Sequence, residues 1–189
     1  MRIISGQFGG RTIRVPKGDI RPTQDKVREA IFSSLAPVIP GARVLDIFAG
    51  SGAMGLEAWS RGAAWVWWVE KNRQTFKTLQ QNVGDLCGVD ALKNCFCMDA
   101  LQFLQKKSAV FDVVFCDPPY REGAESRQLE SLLNLLGKSP SLIPGGLLVY
   151  EHGAKEAEIS DTCWKLKRSK TYGKTGVLIY QKIIKEKAL

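Results

Sequence analysis

The sequence predicts an α/β protein built on a parallel sheet with helices on both faces. Three observations carry this. Strand-length apolar runs alternate with helix-like segments along the chain. The runs are nearly continuous in hydrophobicity, as strands buried on both faces must be. Four of them, taken in order, end on an acid: Asp46, Glu70, Asp99 and Asp117. Ligands of open α/β sheets bind outside the carboxyl ends of strands, so these acids mark one candidate site.

The elements follow in order. ISGQFGGRTIRVP holds two short β-prone pieces around Gly9-Gly10, a hairpin signal. RPTQDKVREAIFSSL reads as a helix, with Thr23 as N-cap, Asp25 in the first turn and Val27, Ala30, Ile31 and Leu35 at helical spacing. Pro37 and Pro40-Gly41 end it. A strand over 43–47 leads through FAGSGAMG into an amphipathic helix, LEAWSR. A second strand covers 65–70, and KNRQTFKTLQQNVGDL is helical. A third strand covers 94–98 and stops before Asp99. A short helix over 100–106 precedes a fourth strand over 111–116. Residues 129–136 are helical and 146–151 form a fifth strand. Residues 164–166 and 176–180 close the chain as a β-pair. We divide the chain into a hairpin extension, 1–20, and one main domain, 21–189.

Composition narrows the class. The chain has 189 residues, 44% hydrophobic and 24% charged, ordinary values for a globular protein. No apolar run reaches the roughly 18–20 residues of a membrane span, and the N-terminus lacks a signal-peptide apolar region. A cytoplasmic protein is expected. The five cysteines include no CxxC pair, and His152 is the single histidine, a poor set for zinc. Reduced thiols are expected, with Cys116 in the core. His152 is read as a loop or surface residue and Trp164 as core.

Gly50-Ser51-Gly52-Ala53-Met54-Gly55 is a literal G-x-G-x-x-G between a strand and a helix. It suits a dinucleotide, with Glu70 on a ribose. It also suits S-adenosylmethionine, and Asp46 favours that reading. A pyrophosphate seeks helix N–H groups and would sit awkwardly beside a carboxylate. An ammonium and a sulfonium tolerate one.

The fourth strand ends in Asp117-Pro118-Pro119-Tyr120. Proline fixes its own φ and pushes the residue before it toward extended geometry. Read blandly, this is a strand-terminating turn. Read chemically, a carboxylate and a proline carbonyl both accept N–H bonds from an exocyclic base amine. That aims the nitrogen lone pair at a methyl donor, while Tyr120 offers a stacking face.

VLDIFAGSGAMGLEAWSRGA, Glu70 and DPPY together resemble class I S-adenosylmethionine-dependent amino-methyltransferases. With ISGQFGGRTIRVP, RPTQDKVREAIFSSL and YGKTGVLIY, the chain resembles the RsmD family over nearly its whole length. Those proteins are bacterial methyltransferases that make N2-methylguanine in 16S rRNA. DPPY alone is shared with DNA adenine methylases. The resemblance implies a Rossmann-like, mostly parallel seven-stranded sheet with a small N-terminal β-hairpin. It implies S-adenosyl-L-methionine held by Asp46, Phe48, Gly50, Gly52, Glu70, Asp99 and Ala100. It implies a target amine held by Asp117, Pro118, Pro119 and Tyr120. The partner would be 16S rRNA within small-subunit particles, met by a monomer. The alternatives are the same chemistry on DNA adenine or protein glutamine, or a non-catalytic RNA-binding module.

Charge is uneven. Residues 1–30 carry seven basic and three acidic side chains, and residues 162–189 carry eight and one. The basic ends are either a solvated surface or a polyanion footprint. On the second reading Arg11, Arg14, Arg21, Arg28, Lys165, Lys167, Arg168 and Lys170 are the candidate RNA contacts.

Overall fold

The structure, a computed structural model, describes residues 1–16, 25–106, 108–119, 125–153 and 161–183. Its strands are β1 (Arg43–Ile47), β2 (Trp65–Val69), β3 (Cys95–Phe96), β4 (Phe111–Cys116), β5 (Leu142–Gly153), β6 (Trp164–Tyr172) and β7 (Thr175–Lys182). Its helices are α1 (Asp25–Leu35), α2 (Ala53–Ser60), α3 (Arg73–Cys87), α4 (Ala100–Lys106) and α5 (Glu125–Lys138). Thr23, the expected cap of α1, lies outside the described residues.

The strands form a single seven-stranded sheet in the order β3-β2-β1-β4-β5-β7-β6. β1 pairs in parallel with β2 and β4, β2 with β3, and β4 with β5. β7 runs antiparallel to both neighbours, so the sheet is mixed. The reversal is local. Only Gly173-Lys174 separate β6 from β7, and so short a loop joins antiparallel strands. The strand order reverses between β1 and β4, which opens a crevice at their carboxyl ends.

Alternation along each strand feeds two cores. Val44, Val113, Phe115 and Val149 pack with α1, α2 and α3. Leu45, Val114, Cys116 and Leu148 pack with α4 and α5. Trp164 joins the second core, its indole N–H donating to the Leu133 carbonyl at 3.0 Å. Lys182 turns inward, its ammonium donating to the carbonyls of Leu136, Ser139 and Leu142 at 2.8, 2.6 and 3.0 Å. A cation there complements the carbonyl end of α5.

Four expectations need correction. α2 is not a half-exposed amphipathic helix; all its residues but Trp59 are buried. The N-terminal segment lies over it. Ile4 and Ser5 donate backbone N–H bonds to the fully buried Glu57 at 2.7 and 3.1 Å, and Phe8 donates to Ser60 Oγ at 3.0 Å. That segment folds back on itself through one antiparallel bridge, Arg2 to Thr12, and contributes Ile3 and Ile13 to the core. Next, β3 is two residues, not five, because a 3-10 turn occupies Val89–Asn94 and the chain leaves the sheet edge to start α4.

β5 starts at Leu142, upstream of expectation. Its pairing slips between Phe111–Leu142 and Val113–Leu147, so Pro144-Gly145-Gly146 form an irregularity within the strand. Finally, His152 is neither loop nor surface. It lies in β5, buried, with Nδ1 donating to the Gly153 carbonyl at 2.6 Å. Gly176 on β7 makes room for it: a Cβ there would lie 2.2 Å from the imidazole.

Candidate active site

Register brings the acids together. Ile47 pairs with Val69 and with Cys116, Val69 with Phe96, and Cys116 with Tyr150. The carboxyl ends of β1 to β4 are therefore level, with Tyr150 abreast of them and β5 running on to Gly153. Glu70 and Asp117 stand one residue beyond that line. Asp46 stands one residue inside β1, and Asp99 three residues beyond β3.

Phe48 is the hinge of the first loop. Its φ of 60° is uncommon for a residue with a Cβ. Such strain persists only where the surroundings enforce it, and it collects at functional sites. Here it swings the chain from β1 into the glycine loop. Gly50 follows with φ 57° and donates its N–H to Glu70 Oε2 at 3.0 Å; Asn72 N–H donates to Oε1 at 2.6 Å. The Glu70 carboxylate thus ties the loop to the end of β2.

The three glycines of the motif do different work. A Cβ on Gly50 would meet nothing nearer than a carbonyl oxygen at 4.0 Å, so its surroundings are open. A Cβ on Gly52 would strike Leu79 at 2.5 Å, and one on Gly55 would strike the Trp68 indole at 2.1 Å. Gly52 and Gly55 are packing glycines, and Gly50 is the one a ligand can approach. Trp68, fully buried in β2, needs the close helix that Gly55 permits.

Asp46 lies beneath the same helix. It is 2% exposed, and its Oδ2 accepts the Gly55 N–H at 2.8 Å. Burial pushes its carboxyl up to about 8; the Gly55 bond opposes this and nearby Glu70 adds to it. The start of α2 therefore already holds a carboxyl group where a pyrophosphate would seek free N–H groups.

Asp99 caps α4, accepting from the N–H of Leu101 and Gln102 at 3.0 and 3.3 Å, and pairs with Lys71 at 3.1 Å. Burial raises its pKa, but Lys71 and the two backbone donors outweigh that and hold it below the usual range. Ala100 is buried behind it. Asp117 follows β4, with Pro118 buried and Pro119 exposed. Asp117 lines a narrow crevice with Ile31 of α1, Met54 of α2, Phe115 and Glu151. Tyr120 lies outside the described residues.

Glu151 was not among the sequence candidates, yet it is an acid near the end of a strand. The signal that picked out the other four applied to it as well. Asn82 was also missed. Buried in α3, it donates to the carbonyls of Ser51 and Arg14 at 2.9 Å each and accepts the Arg14 N–H at 2.9 Å. It fastens the glycine loop to the N-terminal segment, a role with no local signature.

The basic candidates separate. Arg11 is exposed over the Phe8 ring at 5.6 Å. Arg14 is exposed and paired with Asp85. Arg21 lies outside the described residues. Arg28 is enclosed at 0% exposure, which corrects its expected place on an RNA-facing surface. It donates to the Arg2 carbonyl at 2.6 Å and to Asp25 at 3.0 Å, while its Nε and Nη1 have no partner among the described residues. Desolvation lowers its pKa, against Asp25 and Glu57. Lys165, Lys167 and Lys170 are exposed on the edge strand β6. A bulge between Leu166 and Arg168 leaves Lys167 unpaired and sets Arg168 opposite Ile179. Arg168 thereby turns to the α1 face, where it donates to Ser34 Oγ.

Burial holds the Cys87 and Cys95 thiols up at about 12, so they stay protonated at neutral pH. Among the described residues, no group of His, Cys, Asp and Glu is placed to hold a metal, and no helix is long and apolar enough to cross a membrane.

A doubly wound α/β sheet with a glycine loop and acids at its strand ends defines a nucleotide- or nucleoside-binding class of protein. The family model described as Conserved hypothetical protein 95 matches residues 1–181. The chain is 39% identical to Ribosomal RNA small subunit methyltransferase D of Escherichia coli (strain K12), covering 96% of this chain and 90% of that one. It is 33% identical to the protein of the same name from Haemophilus influenzae, with 96% and 93% covered. The solved structure of Escherichia coli yhhF superposes with a TM-score of 0.83 at 39% identity, covering 97% of this chain and 98% of that one. The chain belongs to the RsmD family.

Proposed function

We propose that this chain is a class I, S-adenosylmethionine-dependent methyltransferase that acts on the exocyclic N2 of a guanine in 16S rRNA. The relatives named as small-subunit ribosomal RNA methyltransferases support the substrate. One geometric observation carries the reading. Asp117-Pro118-Pro119 leaves β4 directly beside β1 and its open Gly50 loop, and Asp117 faces the α2 side of the sheet, as Asp46 does.

The residues present fit the donor. Gly50 leaves space at the loop, Glu70 presents a carboxylate to it, and Asp46 is a buried acid that a nearby ammonium would stabilise. Phe48, Asp99 and Ala100 complete the proposed donor residues, and Gly52, packed against Leu79, holds the loop in place beneath the donor. Held there, S-adenosylmethionine would supply an electrophilic methyl group on a sulfonium.

The chain's own work is positioning. An exocyclic base amine is a weak nucleophile because its lone pair is delocalised into the ring. Asp117 and the Pro118 carbonyl each accept one of its N–H bonds. That fixes the nitrogen and turns its lone pair toward the donor side. The Asp117 carboxylate also stabilises the positive charge that develops on nitrogen, and takes the proton the amine sheds.

The substrate in this reading is 16S rRNA within small-subunit particles, approached by a cytoplasmic monomer. Two measurements test it. Calorimetric titration should show S-adenosylmethionine binding and no NADH binding. Methyl mapping of 16S rRNA from a deletion strain, with and without the restored protein, should show one N2-methylguanine that depends on it. NADH binding in place of S-adenosylmethionine, or a methyl map that does not change, overturns the reading.

A further inference from the structure

We infer that Glu151 is the residue that selects guanine, by accepting the N1–H of the target base while Asp117 accepts from its N2 amine. The inference rests on the methyl-transfer reading above and adds to it a second contact on the same base.

Cys116 and Tyr150 are paired in the parallel β4–β5 ladder, so the next residues, Asp117 and Glu151, stand abreast. Laterally paired residues of a parallel sheet point to the same face. The residues below show which face: Phe115 and Val149 are paired, and both belong to the core beneath α1 and α2. Asp117 and Glu151 therefore project together toward α1 and α2. They line one crevice with Ile31 and Met54. Glu151 is 6% exposed, so its carboxylate works in a setting where a mismatched polar partner is costly.

Guanine presents N1–H and the N2 amine side by side on one edge, two donor sites for two carboxylates. Adenine presents a bare N1 lone pair beside its amine. A carboxylate facing that lone pair loses a hydrogen bond and meets like charge. A site built to hydrogen-bond a donor rejects an analogue lacking it by about 10⁴–10⁵-fold, far more than shape alone achieves. The side-chain amide of glutamine offers its NH2 beside a carbonyl oxygen, with no adjacent N–H for a second carboxylate. The paired acids thus separate guanine from the other amines that an Asp-Pro-Pro-Tyr turn can hold.

The test uses 2-aminopurine, which keeps the 2-amino group but has a bare N1. Small-subunit particles are reconstituted with guanine or 2-aminopurine at the mapped target nucleotide. Single-turnover methyl transfer is measured for the wild-type chain and for Glu151→Gln. The wild type should prefer guanine by at least about 100-fold. Glu151→Gln should lose at least about 10-fold on guanine and gain on 2-aminopurine, because its amide N–H can donate to the bare N1. S-adenosylmethionine affinity of the variant should stay within about 2-fold of wild type, as for a residue that touches the base and not the donor. An unchanged guanine-to-2-aminopurine ratio in Glu151→Gln overturns this assignment alone. So does loss of donor binding in the variant, which marks Glu151 as structural. A wild-type chain that leaves guanine unmethylated overturns the methyl-transfer reading itself.

Discussion

Asp46 Oδ2 accepts the backbone N–H of Gly55 at 2.8 Å from beneath the first turn of α2. The bond joins the carboxyl end of β1 to the helix that closes the glycine loop, and the carboxyl group it holds is almost completely buried. Burial lifts that carboxyl to about 8. An acid whose folded pKa lies above its unfolded value binds more protons when folded, so stability falls as pH rises between the two values. The contribution is full below about pH 4 and lost as pH climbs through about 8. Asp46→Asn keeps an oxygen for Gly55 and removes the titration. Chemical denaturation at pH 5 and pH 8.5 should show the variant gaining stability relative to wild type at the higher pH. A difference independent of pH would show that Asp46 titrates normally.

The motif glycines should separate under substitution. Gly55→Ala drives a methyl group into Trp68 and should cost roughly 1–3 kcal/mol by overpacking. Trp68→Leu in the same chain should recover part of the loss. Gly50→Ala meets no obstacle but keeps φ at 57°, a cost of about 1–2 kcal/mol. Its larger effect should fall on S-adenosylmethionine affinity. Denaturant melts and calorimetry on the three variants check this. Equal donor affinity in Gly50→Ala and wild type would remove the loop from the donor site.

The two ends of the basic set should also behave differently. Arg28 is enclosed, so Arg28→Ala should destabilise the fold by about 2–3 kcal/mol through lost charge-assisted bonds and lost stem packing. Arg28→Met keeps the stem volume and removes two donor atoms that have no partner among the described residues, and should cost less. Reversing Lys165, Lys167 and Lys170 on exposed β6 should leave the melt unchanged. It should lower the salt slope of RNA binding by about 2, at roughly 0.7 per phosphate contact on single strands. If the slope holds, those lysines are a solvated edge.

Sequence legibility followed the range of the forces involved. β1 and β4 were readable to the residue because burial on both faces leaves continuous apolar runs. The glycine loop was readable because its turn chemistry is local. What failed depended on distant partners. His152 is buried only because β7 places Gly176 beneath it. α2 lost its exposed face to a segment some fifty residues upstream. The fifth strand was read from residue 146, whereas β5 starts at Leu142 and carries Pro144-Gly145-Gly146 as a slip within it. The bulge at Lys167 re-aims Arg168, and nothing in the run KLKRSK announces it. Four acids of the candidate site were picked out because they lie at strand ends, and the structure sets them at or near those ends. Glu151 shared that place and was passed over for want of a motif.

Asp117 follows the last residue of β4 and stands abreast of Glu151 in one crevice. If it orients the target amine, its loss should remove transfer and spare donor binding, since the proposed donor site is the Gly50 loop, Asp46 and Glu70. Asp117→Ala should slow single-turnover methyl transfer to small-subunit particles by at least about 100-fold, the scale of losing one oriented hydrogen-bonding group in an active site. S-adenosylmethionine affinity should stay within about 2-fold. Asp117→Asn should be milder, because its amide oxygen still accepts one N–H bond, though it carries no charge to meet the developing cation and cannot take the proton. The order wild type, then Asn, then Ala is a stricter test than any single rate, because a residue that only shapes the turn would not produce it. Pro118 and Pro119 keep the turn rigid in all three chains. Wild-type rates in Asp117→Ala would reduce the Asp-Pro-Pro-Tyr segment to a strand terminator and leave the reaction without its amine-orienting acid.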